Sequence, residues 1–194
     1  MKVLFIEVCR NPEIEKSTDT RVVSDYLKTK GIDYKVFSND GIWPQKTKLT
    51  RAVLASSLSQ PGANLVHLSS HGDENGLVLQ WTDAPQIRDR RPNLILSPTE
   101  IATMSEWSGK LVVTASSTTT VLADKFLQAG ALGVVSPDRT ISWRNVNPFL
   151  EEFYEGLASR KPLGQALSQS SAKYPDLAPI TIHAKRNIDS TVLT

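Results

Sequence analysis

Short apolar runs alternate with helix-periodic segments along this chain. Val3 to Val8 is rich in branched residues and bounded by Arg10-Asn11-Pro12, which predicts a buried first strand. Between Thr20 and Lys30, Val22, Val23, Tyr26 and Leu27 fall on one helical stripe, and Gly31 follows as a terminator. Asp33 to Phe37 reads as a second strand, closed by Ser38-Asn39-Asp40-Gly41. Leu49 to Leu58 reads as a helix ended at Pro61-Gly62, and Asn64 to Ser69 as a third strand.

Leu77 to Trp81 and Asn93 to Leu96 predict a small β-hairpin whose connection carries the charged stretch Arg88-Asp89-Arg90-Arg91. Ser97-Pro98-Thr99-Glu100 then has the residues of a capping box, opening a helix that runs to Trp107 and breaks at Gly109. Lys110 to Ala115 is the fourth strand, Val121 to Ala129 a helix ended by Gly130, and Leu132 to Val135 the fifth strand. Asn147 to Ser159 and Leu163 to Tyr174 read as helices, and Ala178 to His183 as the last strand. This alternation predicts one α/β domain over residues 1–194, with a mostly parallel central sheet of about six strands and helices on both faces.

Two strand ends carry the chemistry. Leu65-Val66-His67-Leu68-Ser69-Ser70-His71-Gly72 and Leu111-Val112-Val113-Thr114-Ala115-Ser116-Ser117 are apolar runs that stop abruptly at polar, reactive residues. In parallel sheets the loops at the carboxyl ends of the strands hold the functional groups. His71 exchanges protons near neutral pH, and Gly72 permits close backbone approach. His67 lies inside its apolar strand and reads as a hydrogen-bonded core residue. Ser116-Ser117-Thr118-Thr119-Thr120 leads into a helix whose first N–H groups favour negative charge, although hydroxyl residues there are also ordinary caps.

Composition narrows the classes. The chain has 194 residues, 40% of them hydrophobic, and a net charge of +2, so no electrostatic argument favours nucleic acid. No apolar run is long enough to span a bilayer. The single cysteine, Cys9, excludes an internal disulfide and a cysteine-based zinc site, and a cytoplasmic location is expected. There is no Gly-x-Ser-x-Gly elbow and no glycine-rich phosphate loop. A flavodoxin-like or Rossmann-type nucleotide binder therefore lacks its main marker but stays open as an alternative.

Several stretches, in order, resemble the bacterial CHAT group of caspase-like clan CD peptidases. They are His67-Leu68-Ser69-Ser70-His71-Gly72, Gly76-Leu77-Val78-Leu79, Leu96-Ser97-Pro98-Thr99-Glu100-Ile101, Leu111 to Ser117, Gly130 to Ser136, and Phe149 to Leu157. The resemblance implies a caspase-like three-layer sandwich with a β-hairpin after the His-Gly loop. It also implies a thiol endopeptidase that needs no cofactor or metal, acts on a protein substrate and answers to a regulatory or activating protein, as in bacterial defence modules. Neither nucleic acid nor membrane is implied as a direct partner.

Carried over residue by residue, His71 is the base and Ser117 stands where the family has its catalytic cysteine, with Ser116 as the alternative nucleophile position and otherwise a substrate-pocket residue. The His71-to-Ser117 spacing is close to the roughly 50 residues between base and nucleophile in caspases. The backbone N–H groups of Gly72 and Ser117 would form the oxyanion hole. Trp143 and Arg144 resemble caspase substrate-pocket residues, with Arg144 suited to pair with an acidic substrate residue, whereas Asp73, Glu74 and Asp138 near the same loops would equally favour a basic one. A serine hydroxyl needs stronger activation than a thiol, so this chain is expected to be nearly inactive. The intact His71-Gly72 pair favours an engineered, inactivating Cys-to-Ser substitution. A natural pseudoprotease that only binds protein, and a genuine serine enzyme, are the alternatives.

Overall fold

The computed structural model describes residues 1–8, 19–39, 43, 47–115, 120–139, 141 and 145–193. The first apolar run forms β1 (Lys2–Glu7), and the amphipathic segment after it forms α1 (Asp19–Thr29), followed by β2 (Asp33–Ser38). Then come α2 (Arg51–Leu58), β3 (Ala63–Ser69), the short β4 (Gly72–Asp73), β5 (Gly76–Trp81), β6 (Pro92–Leu96) and α3 (Pro98–Thr103). The second half supplies β7 (Leu111–Thr114), α4 (Thr120–Gln128), β8 (Gly133–Pro137), α5 (Val146–Ala158), α6 (Leu163–Lys173) and β9 (Ile180–His183).

Six strands form the central sheet in the order β2-β1-β3-β7-β8-β9. The first five are parallel, and β9 closes one edge antiparallel to β8. Alternate residues feed two separate cores, as the two-residue strand period requires. On one face Phe5, Leu65 and Val113 pack with Val23 and Leu27 of α1 and with Phe149 and Phe153 of α5. On the other, Leu4, Val66 and Val112 pack with Leu54 of α2, Ile101 of α3 and Phe126 of α4. The fold is therefore the three-layer α/β sandwich expected from the sequence.

The starts of β3 and β7 are strapped together by a side chain. The Lys110 ammonium donates to the Ala63 carbonyl at 2.6 Å, and burial pushes that amine below its ordinary value. The capping box also forms: the Ser97 hydroxyl accepts from the Glu100 N–H at 3.3 Å, and the Glu100 carboxylate accepts from the Ser97 N–H at 2.8 Å. Glu100 additionally pairs with Arg51, whose other guanidinium nitrogen donates to the Ile95 carbonyl at 2.9 Å. The start of α2 is thereby tied to β6 and α3.

Two local features differ from the sequence expectation. The helix expected to reach Trp107 ends at Thr103; Met104 is extended, and a separate 3₁₀ turn spans Ser105–Trp107. The tighter turn carries the Trp107 indole inward to meet Phe126 edge-on, with ring centroids 4.8 Å apart. The expected hairpin forms between β5 and β6, and β4 extends it to a three-stranded antiparallel sheet in the order β4-β5-β6. Gly72 pairs with Leu77 and Asp73 with Gly76, so the residues after His71 are themselves a strand.

Gly76 makes that sheet possible. Its φ of +133° lies in a region side chains avoid, and a Cβ there would overlap the backbone carbonyl of Leu96. Gly76→Ala is expected to cost roughly 2 kcal/mol or more in stability, by strain and displaced β6 together. Denaturant unfolding of the variant beside the parent measures this; an unchanged midpoint would contradict the strained turn.

Candidate active site

His71 leaves the carboxyl end of β3, and its backbone is clamped to the small sheet. The Val78 N–H donates to the His71 carbonyl at 2.9 Å, and the Ser70 hydroxyl donates to the Val78 carbonyl at 2.6 Å. Gly72 is buried within β4, whereas the His71 and Asp73 side chains are exposed. The Asp73 carboxylate accepts from the Asn75 N–H at 2.8 Å, which tightens the turn into β5. The His71 ring stands perpendicular to the Trp81 indole, 87° between planes and 5.4 Å between centroids.

The strand beside β3 is β7. They pair in parallel from Leu65↔Leu111 to Leu68↔Thr114, so both run toward the same sheet edge and His71 follows one while Ala115 follows the other. Beyond that strand end, α4 packs against β4. Ser116, Ser117, Trp143 and Arg144, the other candidate residues, lie outside the described residues.

A buried polar network sits just below this edge, on the α1 and α5 face. His67 is fully buried; its Nδ1 meets the Tyr154 hydroxyl at 2.9 Å and its Nε2 the Asp19 carboxylate at 3.0 Å. The other Asp19 oxygen accepts from the Ser69 hydroxyl at 2.6 Å and from the Thr20 N–H at 3.0 Å. Burial alone would raise the Asp19 carboxyl, but attraction to His67 and the hydrogen bonds from His67, Ser69 and Thr20 outweigh it. The net position is below the ordinary carboxylate value. Burial, reinforced by the Asp19 charge, pushes Tyr154 well above the usual phenol value, so it stays a neutral hydroxyl. The network confirms His67 as a hydrogen-bonded core histidine.

Neighbouring β1 ends in a second buried carboxylate. Glu7 is fully buried and accepts from the Ser38 hydroxyl at 2.5 Å and the Trp43 indole N–H at 2.7 Å. Sequence reasoning missed Asp19, Tyr154, Glu7 and Trp81. Only Glu7 left a signal, a carboxylate between Ile6 and Val8 in an otherwise apolar run. A surface groove of about 310 Å³ lined by Leu167, Ser168, Ile180, Thr181 and Asp189 lies at α6 and β9, separated from β7 by β8. Among the described residues no cluster of His, Cys, Asp or Glu has the makings of a metal site, and no helix is long and apolar enough to cross a membrane.

The sheet order and the helices on both faces are consistent with a caspase-like α/β domain. Residues 15–179 match the model of the CHAT domain, and the chain belongs to that caspase-like peptidase family. No curated protein matches the sequence. Among solved structures, a short-chain flavodoxin associated with a non-canonical PDU bacterial microcompartment aligns at 15% identity and a TM-score of 0.43, covering 81% of this chain and 95% of its own. Pyridoxal kinase from Staphylococcus aureus, in complex with AMP-PCP, aligns at 12% identity and a TM-score of 0.39, covering 88% of this chain and 85% of its own.

The buried network gives a pH dependence. Because the folded Asp19 carboxyl lies below its unfolded value near 3.8, its ionised form stabilises the fold fully above that pH. The contribution is lost as pH falls from about 3.8 through the lower folded value. Asp19→Ala is expected to cost on the order of 3–5 kcal/mol at neutral pH, as removal of one partner of a buried pair does. It should also flatten the acid limb of stability against pH, which urea unfolding at a series of pH values will read.

Proposed function

We propose that this chain is a caspase-like endopeptidase domain whose chemistry runs between His71 and position 117. The observation that carries the reading is the parallel pairing of β3 with β7, with His71-Gly72 leaving the end of β3. On this reading position 117 is the nucleophile's place, where serine stands instead of cysteine. In the cysteine form, sulfur attacks the scissile carbonyl carbon while His71 takes up the thiol proton. The carbon–nitrogen bond then breaks, and the departing amine receives that proton from His71. Water, deprotonated by His71, hydrolyses the thioester and releases the acyl half as a carboxylate.

Gly72 supplies one backbone N–H toward the developing oxyanion and position 117 the other. Trp143 and Arg144 fit the role of substrate-pocket residues, and Asp73, exposed two residues after His71, bears on the same pocket. Serine in place of the thiol keeps the cleft but removes the better nucleophile. The chain as it stands thus binds a protein substrate and turns it over very slowly, in a cytoplasmic setting where a second protein switches it on.

Ser117→Cys is expected to produce cleavage of a peptide library, and adding His71→Ala should lower kcat by roughly 10²–10⁴. An S117C protein that cleaves neither the library nor proteins from its own host would point to a natural binding module instead.

A further inference from the structure

The catalytic base of a nucleophile–base pair is normally oriented by a third group, commonly a carboxylate or carbonyl that takes its other ring N–H. His71 shows no such partner: among the described residues its ring makes no side-chain hydrogen bond, and its described ring contact is the perpendicular one with Trp81. Building on the proposed function, we infer that Trp81 is the positioning residue of His71. Its indole takes the orienting place that an acidic side chain fills in a triad.

The geometry suits the task. A T-shaped pair at 5.4 Å is a preferred aromatic arrangement, and it restricts rotation of an otherwise exposed imidazole about its side-chain torsions. Trp81 is itself held. It shares the strand parity of Leu77 and Leu79 and packs on the same core cluster. The β5–β6 register shifts on both sides of Gln80, at Val78/Gln80 and again at Gln80/Trp81. Such irregularities re-aim a side chain beside a functional site. The Gln80 side chain also donates to the Leu49 carbonyl at 2.5 Å, anchoring this end of β5 to the segment leading into α2.

His71 and Trp81 are thus connected twice: through the backbone by the Val78 to His71 hydrogen bond, and through the rings. The backbone link fixes where the imidazole starts, and the indole fixes which way it faces. Misplacing a catalytic group by about 1 Å can cost on the order of 10²-fold in rate, so the second link matters to turnover.

The chain has only three histidines, which makes the contact directly readable by NMR of the imidazole carbons and protons. In the protein as it stands, ring-current displacement of the His71 signals is expected, assigned with His71→Gln. Trp81→Leu should move those signals to the positions of a free imidazole, while the deeply buried His67 signals stay put and report an intact fold. Trp81→Phe should keep part of the displacement. In an S117C background, W81L should lower kcat roughly ten- to a hundredfold with KM little changed, and W81F should restore most of it. Identical His71 signals in parent and W81L, or an unchanged kcat, would overturn the assignment. If S117C cleaves nothing while the His71 signals still respond to W81L, the peptidase reading fails and the orienting contact stands on the spectra.

Discussion

The parallel pairing of β3 with β7 is the constraint on which the rest depends. Both strands are buried on both faces, so the pairing register decides which side chains enter which core. As built, His67 and Ser69 face α1 and α5 with Leu65 and Val113, while Val66, Leu68 and Val112 face α2 and α4. A one-residue flip of β3 would drive His67 into the second core and cost the imidazole, the Tyr154 hydroxyl and one Asp19 oxygen the hydrogen bonds they now make with one another. That penalty, a desolvation cost of about 1–3 kcal/mol per orphaned group, makes one register far preferable.

The same network explains why a charged chain of residues is tolerated so deep. Asp19 satisfies both oxygens, His67 both ring nitrogens, and Tyr154 its hydroxyl, so little polar capacity is left unspent. Three elements meet there: the first residue of α1, the middle of α5 and the last turn of β3. Locking them together holds the strand that ends two residues before His71. On the opposite face the clamp is the small sheet, through Ser70 and Val78. The strand end carrying His71 is thereby gripped from both sides of the central sheet.

Much of this was legible in the sequence. The apolar runs of β1, β3 and β7 declared buried parallel strands, and Ser97-Pro98-Thr99-Glu100 declared a cap that the structure contains. What escaped was long-range. Asp19 reads locally as an acidic residue opening a helix, and nothing within ten residues of it announces His67. β4 escaped because two residues of strand give no periodicity. The Trp81 contact escaped because the pattern Leu77, Leu79, Trp81 looks like an ordinary strand face; the register shifts around Gln80 depend on β6. The adjacency of β3 and β7 is a property of topology, reached in the sequence through ordered family motifs and not through periodicity.

The way the base is held also bears on what a serine at position 117 does to the site. In a triad the nucleophile, base and orienter form one hydrogen-bonded chain whose members act as a unit. Here the support of His71 comes from the hairpin: a main-chain bond to Val78 and a ring contact to Trp81, neither of which involves the nucleophile. On the proposed reading, sulfur or oxygen at position 117 leaves both of these His71 contacts in place. On the proposed reading, the binding and cleaving versions of this domain therefore differ by a single side chain.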